Sequence, residues 1–317
     1  MTRLSGFVVP ELFAQTEASD LDLVIQSNSM AYMNKVTVLR TLANTMKRAG
    51  ITSNVTIIAK ARVPIVKFVT TQGHISVDIS INHITGVFAG QMVLGFLREL
   101  PALRALVLIT KAFLTQRSMN EVFSGGLGSY SIVCLAVSFL QMHPKIRRGE
   151  IDPSKNLGVL VMEFFELYGC YFNYHEVGIS IRNGGSYYSK ARRGWQDPNK
   201  PHLLSIEDPN DTCALWDRTK YARLLTSDSV ANDVSKGTYG IAKVRTTLAG
   251  AFAVLTSTAF LHAGLMKSRR EGRYVNLRSR RAPEDLSILS SILGMSQEVS
   301  PHAAPPYGLA AEISRRR

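Results

Sequence analysis

Residues 74–82 read HISVDISIN, and this stretch restricts the fold more tightly than any other part of the chain. Ile75, Val77, Ile79 and Ile81 alternate with Ser76, Asp78, Ser80 and Asn82. Successive side chains on a strand point to opposite faces, so this pattern predicts a strand with one face in a core and one polar face. Asp78 stands in the middle of the polar face. A second segment has the same parity. In EASDLDLVI, residues 17–25, Asp20 and Asp22 share one face while Leu21, Leu23 and Ile25 share the other. Like charges held side by side cost free energy unless a cation lies between them, and a hard divalent ion such as Mg²⁺ suits carboxylate oxygens. A lone D-x-D is equally compatible with a solvated strand end. Three carboxylates on the polar faces of two strands, however, can meet on one small mixed sheet. Such a set suits two divalent ions, one activating an attacking hydroxyl and the other holding a triphosphate and its leaving pyrophosphate. Phosphoryl transfer needs mainly positioning and charge neutralisation, so few further groups are required.

The chain has 317 residues and a formal net charge of +13. That length allows two domains with sizeable cores, and the charge favours a polyanionic partner. Cys134, Cys170 and Cys213 are odd in number and widely spaced, which points to a reducing compartment and no zinc site. The N-terminal stretch is a poor signal peptide, because its apolar run is short and interrupted by Pro10 and Glu11. Residues 248–266 lack Asp, Glu, Lys and Arg and are long enough for a membrane span, but their Ala, Thr, Ser and Gly content favours a buried core helix, and no membrane partner is expected.

Along the chain, residues 36–49 carry Val36, Leu39, Leu42, Ala43 and Met46 at helical spacing. VTIIA at 55–59 and RVPIVKFV at 62–69 read as strands, with Pro64 marking an edge or bulge. From about residue 90 the pattern turns helical, over 90–99, 102–116, 129–142 and 156–173. Strand and turn residues return at 177–189, residues 196–235 read as loop, and 239–266 as a last helix. Beyond 267 the basic and turn-rich tail predicts disorder, apart from a short helix near SILSSILG.

One further segment carries chemistry, KAFLTQRSMNEVFSGGLGSYS at 111–131. Lys111 interrupts an apolar helix and either snorkels outward or serves a site. SGGLGSYS runs directly into a helix, and glycines there let a backbone approach a ligand while a helix N-terminus favours anions. No G-K-[ST] follows, so this is not a P-loop. Tyr130 offers a ring on which a base can stack.

SDLDLVI, KARVPIVKF, VDISIN, MNEVFSGGLGSYSIVCLAVSFLQMHP, NLGVLVMEFFELYGCYFNY, LSIEDP and NDVSKGTYGI occur in that order. Together they resemble the noncanonical poly(A) polymerases of nuclear RNA surveillance, the catalytic subunits of TRAMP-type complexes within the DNA polymerase beta-like nucleotidyltransferases. The likeness runs over roughly residues 18–265 and is nearest to fungal members. It implies an α+β protein: a small mixed-sheet nucleotidyltransferase domain over residues 1–95, a mainly helical central (PAP-associated) domain over 96–265, and a basic tail over 266–317. It implies that Asp20, Asp22 and Asp78 bind Mg²⁺ or Mn²⁺, and that Lys111 contacts the triphosphate of ATP. It places Asn120 and Ser129 near the ribose and phosphates, Tyr130 under the base, and Asp208 and Asn232 in the segment over the base. It further implies adenylate transfer to RNA 3′ ends, zinc-knuckle RNA-binding proteins and an RNA helicase as partners, and a nuclear, including nucleolar, location.

Two departures stand out. The family's Gly-Ser motif, about ten residues before its D-x-D, is replaced by VVPELFAQTEA, so the catalytic domain reads as incomplete at its N-terminus. The stretch NDTCALWDRTKYARLLTSDSVA separates Glu-Asp-Pro from Asn-Asp-Val, where the family has only a few residues, and it reads as an exposed excursion. Two rival functions follow: a scaffold that keeps the fold without its chemistry, and a terminal uridylyltransferase. In the uridylyltransferases a histidine often stands where this chain has Asn232, which favours adenine. The cluster of Lys267, Arg269, Arg270, Arg273, Arg278, Arg280 and Arg281 is expected to add RNA affinity by counterion release, or to act as a nuclear address.

Overall fold

The computed structural model describes residues 2–6, 21–30, 32–61, 63–210, 232–270 and 288–293. Two compact units divide the chain, Met1–Phe252 and Ala253–Arg317. The first opens with a five-stranded mixed sheet of order β1-β2-β5-β4-β3, built from β1 (Thr2–Gly6), β2 (Leu21–Ser27), β3 (Val55–Ile58), β4 (Ile65–Val69) and β5 (Ser76–Ile81). Helix α1 (Lys35–Arg48) lies between β2 and β3 in the chain. Strands β2 and β5 are parallel and the other neighbours antiparallel. β1 adds a strand to those the sequence pattern marks out.

The alternation expected for β2 and β5 is realised. Val77, Ile79 and Ile81 join Val66 and Phe68 of β4 and Val38, Leu39 and Met46 of α1 in a buried cluster, with Leu21, Leu23 and Ile25 packed against it. Helix α1 begins at Asn34, whose side chain accepts from the backbone N–H groups of Val36 and Thr37. The polar face is not open along its whole length. Val24 and Ser80, paired across β2 and β5, are both buried, and α2 (Ile84–Glu99) lies against β2.

Helix α2 carries the chain past residue 95, and from there the fold is helical. α3 (Leu103–Thr115) packs on α4 (Ser129–Met142), and α5 (Leu157–Glu166) packs on α3. Edge-to-face and tilted rings link Phe139, Phe164, Tyr168, Phe172 and Tyr174, with centroids 4.9–5.5 Å apart. Their two buried phenols are satisfied locally: Tyr168 donates to the Leu135 carbonyl at 3.0 Å and Tyr174 to the Tyr168 carbonyl at 2.7 Å. The helix expected over 156–173 changes pitch within that range, since Leu167–Tyr171 forms a π turn.

β6 (Val177–Ser180) and β7 (Ser186–Ser189) form a separate hairpin. The loop after it is tied down from within. The buried ammonium of Lys190 donates to the carbonyls of Tyr174, Pro201 and Leu203, and burial pushes its pKa down while the Asp233 carboxylate opposes that shift. The final helix, α6 (Ile241–Arg270), is long and apolar enough over Ile241–Leu261 to cross a membrane by length and composition alone. The expectation of a buried core helix over 248–266 holds only for one stripe: Leu248, Ala251 and Leu255 are buried, in line with Ile241 and Val244 before them, whereas Phe260 and Leu261 further on are exposed. In the second unit the residues expected to form a short helix do so as a single 3₁₀ turn, Ile288–Ser291. The rest of the tail, and all of the excursion at 210–231 except Asn210, lie outside the described residues.

Candidate active site

Parallel pairing of β2 with β5 sets Asp22 directly beside Asp78. Neighbouring strands lie about 4.8 Å apart, so both carboxylates stand in one row on the face turned away from the core. The row continues through Lys67 to Thr56, because Asp78 opposes Lys67 across β5 and β4, and Lys67 opposes Thr56 across β4 and β3. Lys67 Nζ lies 3.5 Å from Asp78 Oδ1. Asp22 is exposed and Asp78 half-buried. Asp20 lies outside the described residues, and among the described residues no third His, Cys, Asp or Glu completes a metal-binding group.

A slip of one residue between β2 and β5 would turn Asp78 into the core, so the register matters. Asn82 fixes it. At φ +52° it ends β5, its Oδ1 accepts from the Ser27 N–H at 2.8 Å, and its Nδ2 donates to the Ser27 carbonyl at 3.0 Å. Its own N–H donates to the Ile25 carbonyl at 2.9 Å. Alternation alone makes Asn82 one more residue of the polar face and does not reveal this clamp. The available signal was an asparagine at the end of a β-branched run, a residue type that, after glycine, is among the most tolerant of a left-handed backbone. Lys67 was missed as well, for the pairing that brings it to Asp78 is a matter of tertiary register.

The glycine-rich segment has a different purpose from the one its composition implies. Gly125 has φ +81°, and a Cβ there would meet the Tyr239 ring at 2.4 Å; one on Gly126 would stand 2.3 Å from the Met119 carbonyl oxygen. These two glycines admit protein neighbours, not a ligand. What they deliver is the start of α4, where Gly128 is the N-cap without a side-chain capping bond and Ser129 and Tyr130 are the first helical residues. Lys111 is half-buried on α3, which packs on α4, and Asn120 Nδ2 donates to Glu121 Oε1 at 3.3 Å.

Tyr130, Asp208 and Asn232, far apart in the chain, converge with Asn210 in one network. Asn210 Nδ2 donates to the Tyr130 hydroxyl at 3.1 Å. The Asn210 N–H donates to Asp208 Oδ1 at 3.0 Å, and Asn232 Nδ2 donates to Asp208 Oδ2 at 3.1 Å. The Asp208 N–H donates to the Asn232 carbonyl at 2.9 Å, and Glu207 forms a β-bridge with Asp233. Asp208 is only 8% exposed, and Arg182 donates to its main-chain carbonyl at 2.8 Å. Beneath it Asp233 Oδ1 accepts from the N–H groups of Ile206 and Ser235 and from the Ser235 hydroxyl. Burial, with Cys134 and the Asp208 carboxylate nearby, pushes the Tyr130 phenol well above its ordinary value, so its hydroxyl stays neutral. Asn210 was not foreseen: in the sequence it stands as the first residue of the excursion.

A mixed sheet with register-matched carboxylates, followed by helices that carry an aromatic–amide–carboxylate cluster, defines a nucleotidyltransferase palm with a helical partner domain. Residues 12–98 match the family described as "Poly(A) RNA polymerase, mitochondrial-like, central palm domain", and residues 156–213 match "Cid1 family poly A polymerase". Poly(A) RNA polymerase CID14 of Cryptococcus neoformans is 48% identical over 280 residues, covering 88% of this chain and 34% of that protein. The cid14 enzyme of Schizosaccharomyces pombe is 44% identical, covering 90% of this chain and 38% of its own length. The solved polymerase core of TRAMP, a RNA surveillance complex, superposes with a TM-score of 0.72 at 34% identity, over 92% of this chain and 81% of that one. The chain belongs to the noncanonical poly(A) polymerases of the TRAMP type. It spans little more than a third of the length of the curated relatives it matches.

Proposed function

We propose that this chain transfers adenylate from ATP to RNA 3′ ends in nuclear RNA surveillance and decay. The observation that carries the reading is the Asp22–Asp78 pair, locked side by side by Asn82. The donor set fits Mg²⁺ or Mn²⁺, since it offers hard carboxylate oxygens alone, with Asp20 two residues before Asp22 as the third ligand. Bound there, such ions lower the pKa of the attacking 3′-hydroxyl and neutralise the triphosphate.

The chain's own residues do the rest. Asp22 and Asp78 concentrate negative charge on one row, and Lys67 neutralises part of it. The first turn of α4, at Ser129 and Tyr130, offers N–H groups to phosphate oxygens, with Lys111 on the neighbouring helix as the cation for the triphosphate and Asn120 for the ribose. Tyr130 gives its ring to the base. Asp208 and Asn232 form the edge that reads it, held rigid by Asn210. An amide at position 232, hydrogen-bonded to Asp208, supports adenine over uracil. The TRAMP-type kinship supports zinc-knuckle RNA-binding and helicase partners and a nuclear site of action, which complete the proposal.

Primer extension on a single-stranded RNA with Mg²⁺ and either ATP or UTP tests it. Adenylate incorporation that exceeds uridylate incorporation, and that is lost in Asp22→Ala and Asp78→Ala, is the expected result. Preferred UTP use would assign the chain to the uridylyltransferases. No incorporation, with RNA binding retained, would make it a scaffold.

A further inference from the structure

We propose that Phe123 and Tyr239 form a stacking platform for bases of the single-stranded RNA substrate, with Lys236 and Lys243 meeting its phosphates. The proposal rests on the reading of the chain as an RNA-polymerising enzyme and adds to it a second base site, distinct from the one at Tyr130. Phe123 lies in the 3₁₀ turn Val122–Ser124 and is 97% exposed; Tyr239 is 56% exposed. A ring so fully in water is ordinarily found on a loose loop. Here the backbone beneath it is fastened. The Tyr239 hydroxyl donates to the Phe123 carbonyl at 2.8 Å, and the Gly240 N–H donates to the Gly125 carbonyl at 2.9 Å. The N–H groups of Gly125, Gly126 and Leu127 close back on Val122, Glu121 and Met119 at 2.8–3.0 Å. The Tyr239 ring fills the place of the missing Gly125 side chain.

The chemistry of the surroundings selects the occupant. Residues 236–243, KGTYGIAK, contain two lysines and no acid, and both lysines are exposed. The one carboxylate in 119–126, Glu121, accepts from the Asn120 amide. Exposed aromatic faces beside cations hold single-stranded nucleic acid without regard to sequence, because every base has a π-face. Continuity with the proposed site supports the same choice, for Asn120 and Ser129 flank the segment that presents Phe123. Tyr130, by contrast, is half-buried, is hydrogen-bonded to Asn210 beside the buried Asp208, and serves the nucleotide.

Fluorescence anisotropy with a dye-labelled oligo(A) RNA at several salt concentrations tests the platform. Phe123→Ala should weaken RNA binding about 5- to 100-fold, Phe123→Trp should restore it, and both should leave binding of an ATP analogue and the thermal midpoint unchanged. Lys236→Ala should lower the slope of log affinity against log salt by about one. RNA binding by Phe123→Ala within twofold of wild type overturns the platform and leaves the polymerase reading intact. It does so equally if the same variant loses a protein partner, which would make the surface a protein contact. A wild-type chain that binds no RNA overturns both.

Discussion

The proposed ion-binding row and the base-reading cluster are built by opposite means. Asp22, Asp78, Lys67 and Thr56 stand on one sheet face because four strands pair in register, and each reaches its place by local alternation. Tyr130, Asp208, Asn210 and Asn232 come from a helix end and the two flanks of a long connection, and they hold one another by hydrogen bonds between residues up to 80 positions apart. The row is partly open, so water, an ammonium or a metal ion can exchange at its carboxylates. The Asp208 carboxylate at the centre of the cluster is buried and has both oxygens engaged by protein, with Tyr130, Asn210 and Asn232 half-buried around it. A site that must take up and release ions keeps its charges accessible; a site that must recognise a shape spends its polar groups on rigidity.

Substitutions that separate activity from stability sharpen this contrast. Asp78→Ala should lower adenylate incorporation by about 10²- to 10³-fold, comparable to the loss of a preorganised charge-stabilising group. It should shift the folding free energy by no more than about 1 kcal/mol, since its ion pair with Lys67 is partly exposed. Steady-state primer extension and urea denaturation measure both. Asp208→Ala should reverse that balance. It removes the acceptor of two internal hydrogen bonds, so stability should fall by about 1–3 kcal/mol, and the kinetic effect should appear chiefly as a raised KM for ATP. If Asp208→Ala leaves the unfolding midpoint in place, the cluster is not a rigid element.

Asn82→Ala sits between the two. It removes the clamp on Ser27 and asks alanine to adopt φ +52°, for a loss of about 2 kcal/mol with a several-fold drop in activity from a looser carboxylate row. Hydrogen exchange of the β2 and β5 amides would report that loosening directly. The smallest effect concerns pH. Tyr130 keeps its proton in the folded chain when an unfolded tyrosine would lose it, near pH 10. The unfolded state then binds fewer protons than the native one, so this group's contribution is complete below about pH 10 and declines as pH rises beyond it. Between pH 6 and 9 Tyr130→Phe should therefore leave the shape of the pH–rate profile unchanged.

The contrast also explains which features are legible in the amino-acid order. A period of two is a local property, so the pattern of residues around Asp22 and Asp78 is enough to place both on the polar face of a shared sheet. Lys67 is not legible in this way, because only the β4–β5 register sets it opposite Asp78. Ser80 shares the parity of Asp78 yet is buried, because position along a strand decides what covers it and alternation does not. The glycine at 125 is legible as a point of close approach but not as to what approaches, for Tyr239 is more than a hundred residues away. Tyr130 is legible locally only as an available ring, Asp208 and Asn232 only through the family resemblance, and nothing in their local patterns implies that the three meet.

The bond between Asp208 and Asn232 has a consequence for how this part of the gene can change. The chain leaves the base-reading edge and returns to it at one point, closed by the Asn232 amide on the Asp208 carboxylate and by the Asp208 N–H on the Asn232 carbonyl. Loop-closure entropy grows only with the logarithm of length, so replacing 211–231 by a few glycines should stabilise the fold by only on the order of 1 kcal/mol and leave nucleotide choice untouched. A fastening of this kind makes the interval between two specificity residues a neutral port, where sequence can be gained, lost or borrowed without altering what the residues on either side recognise.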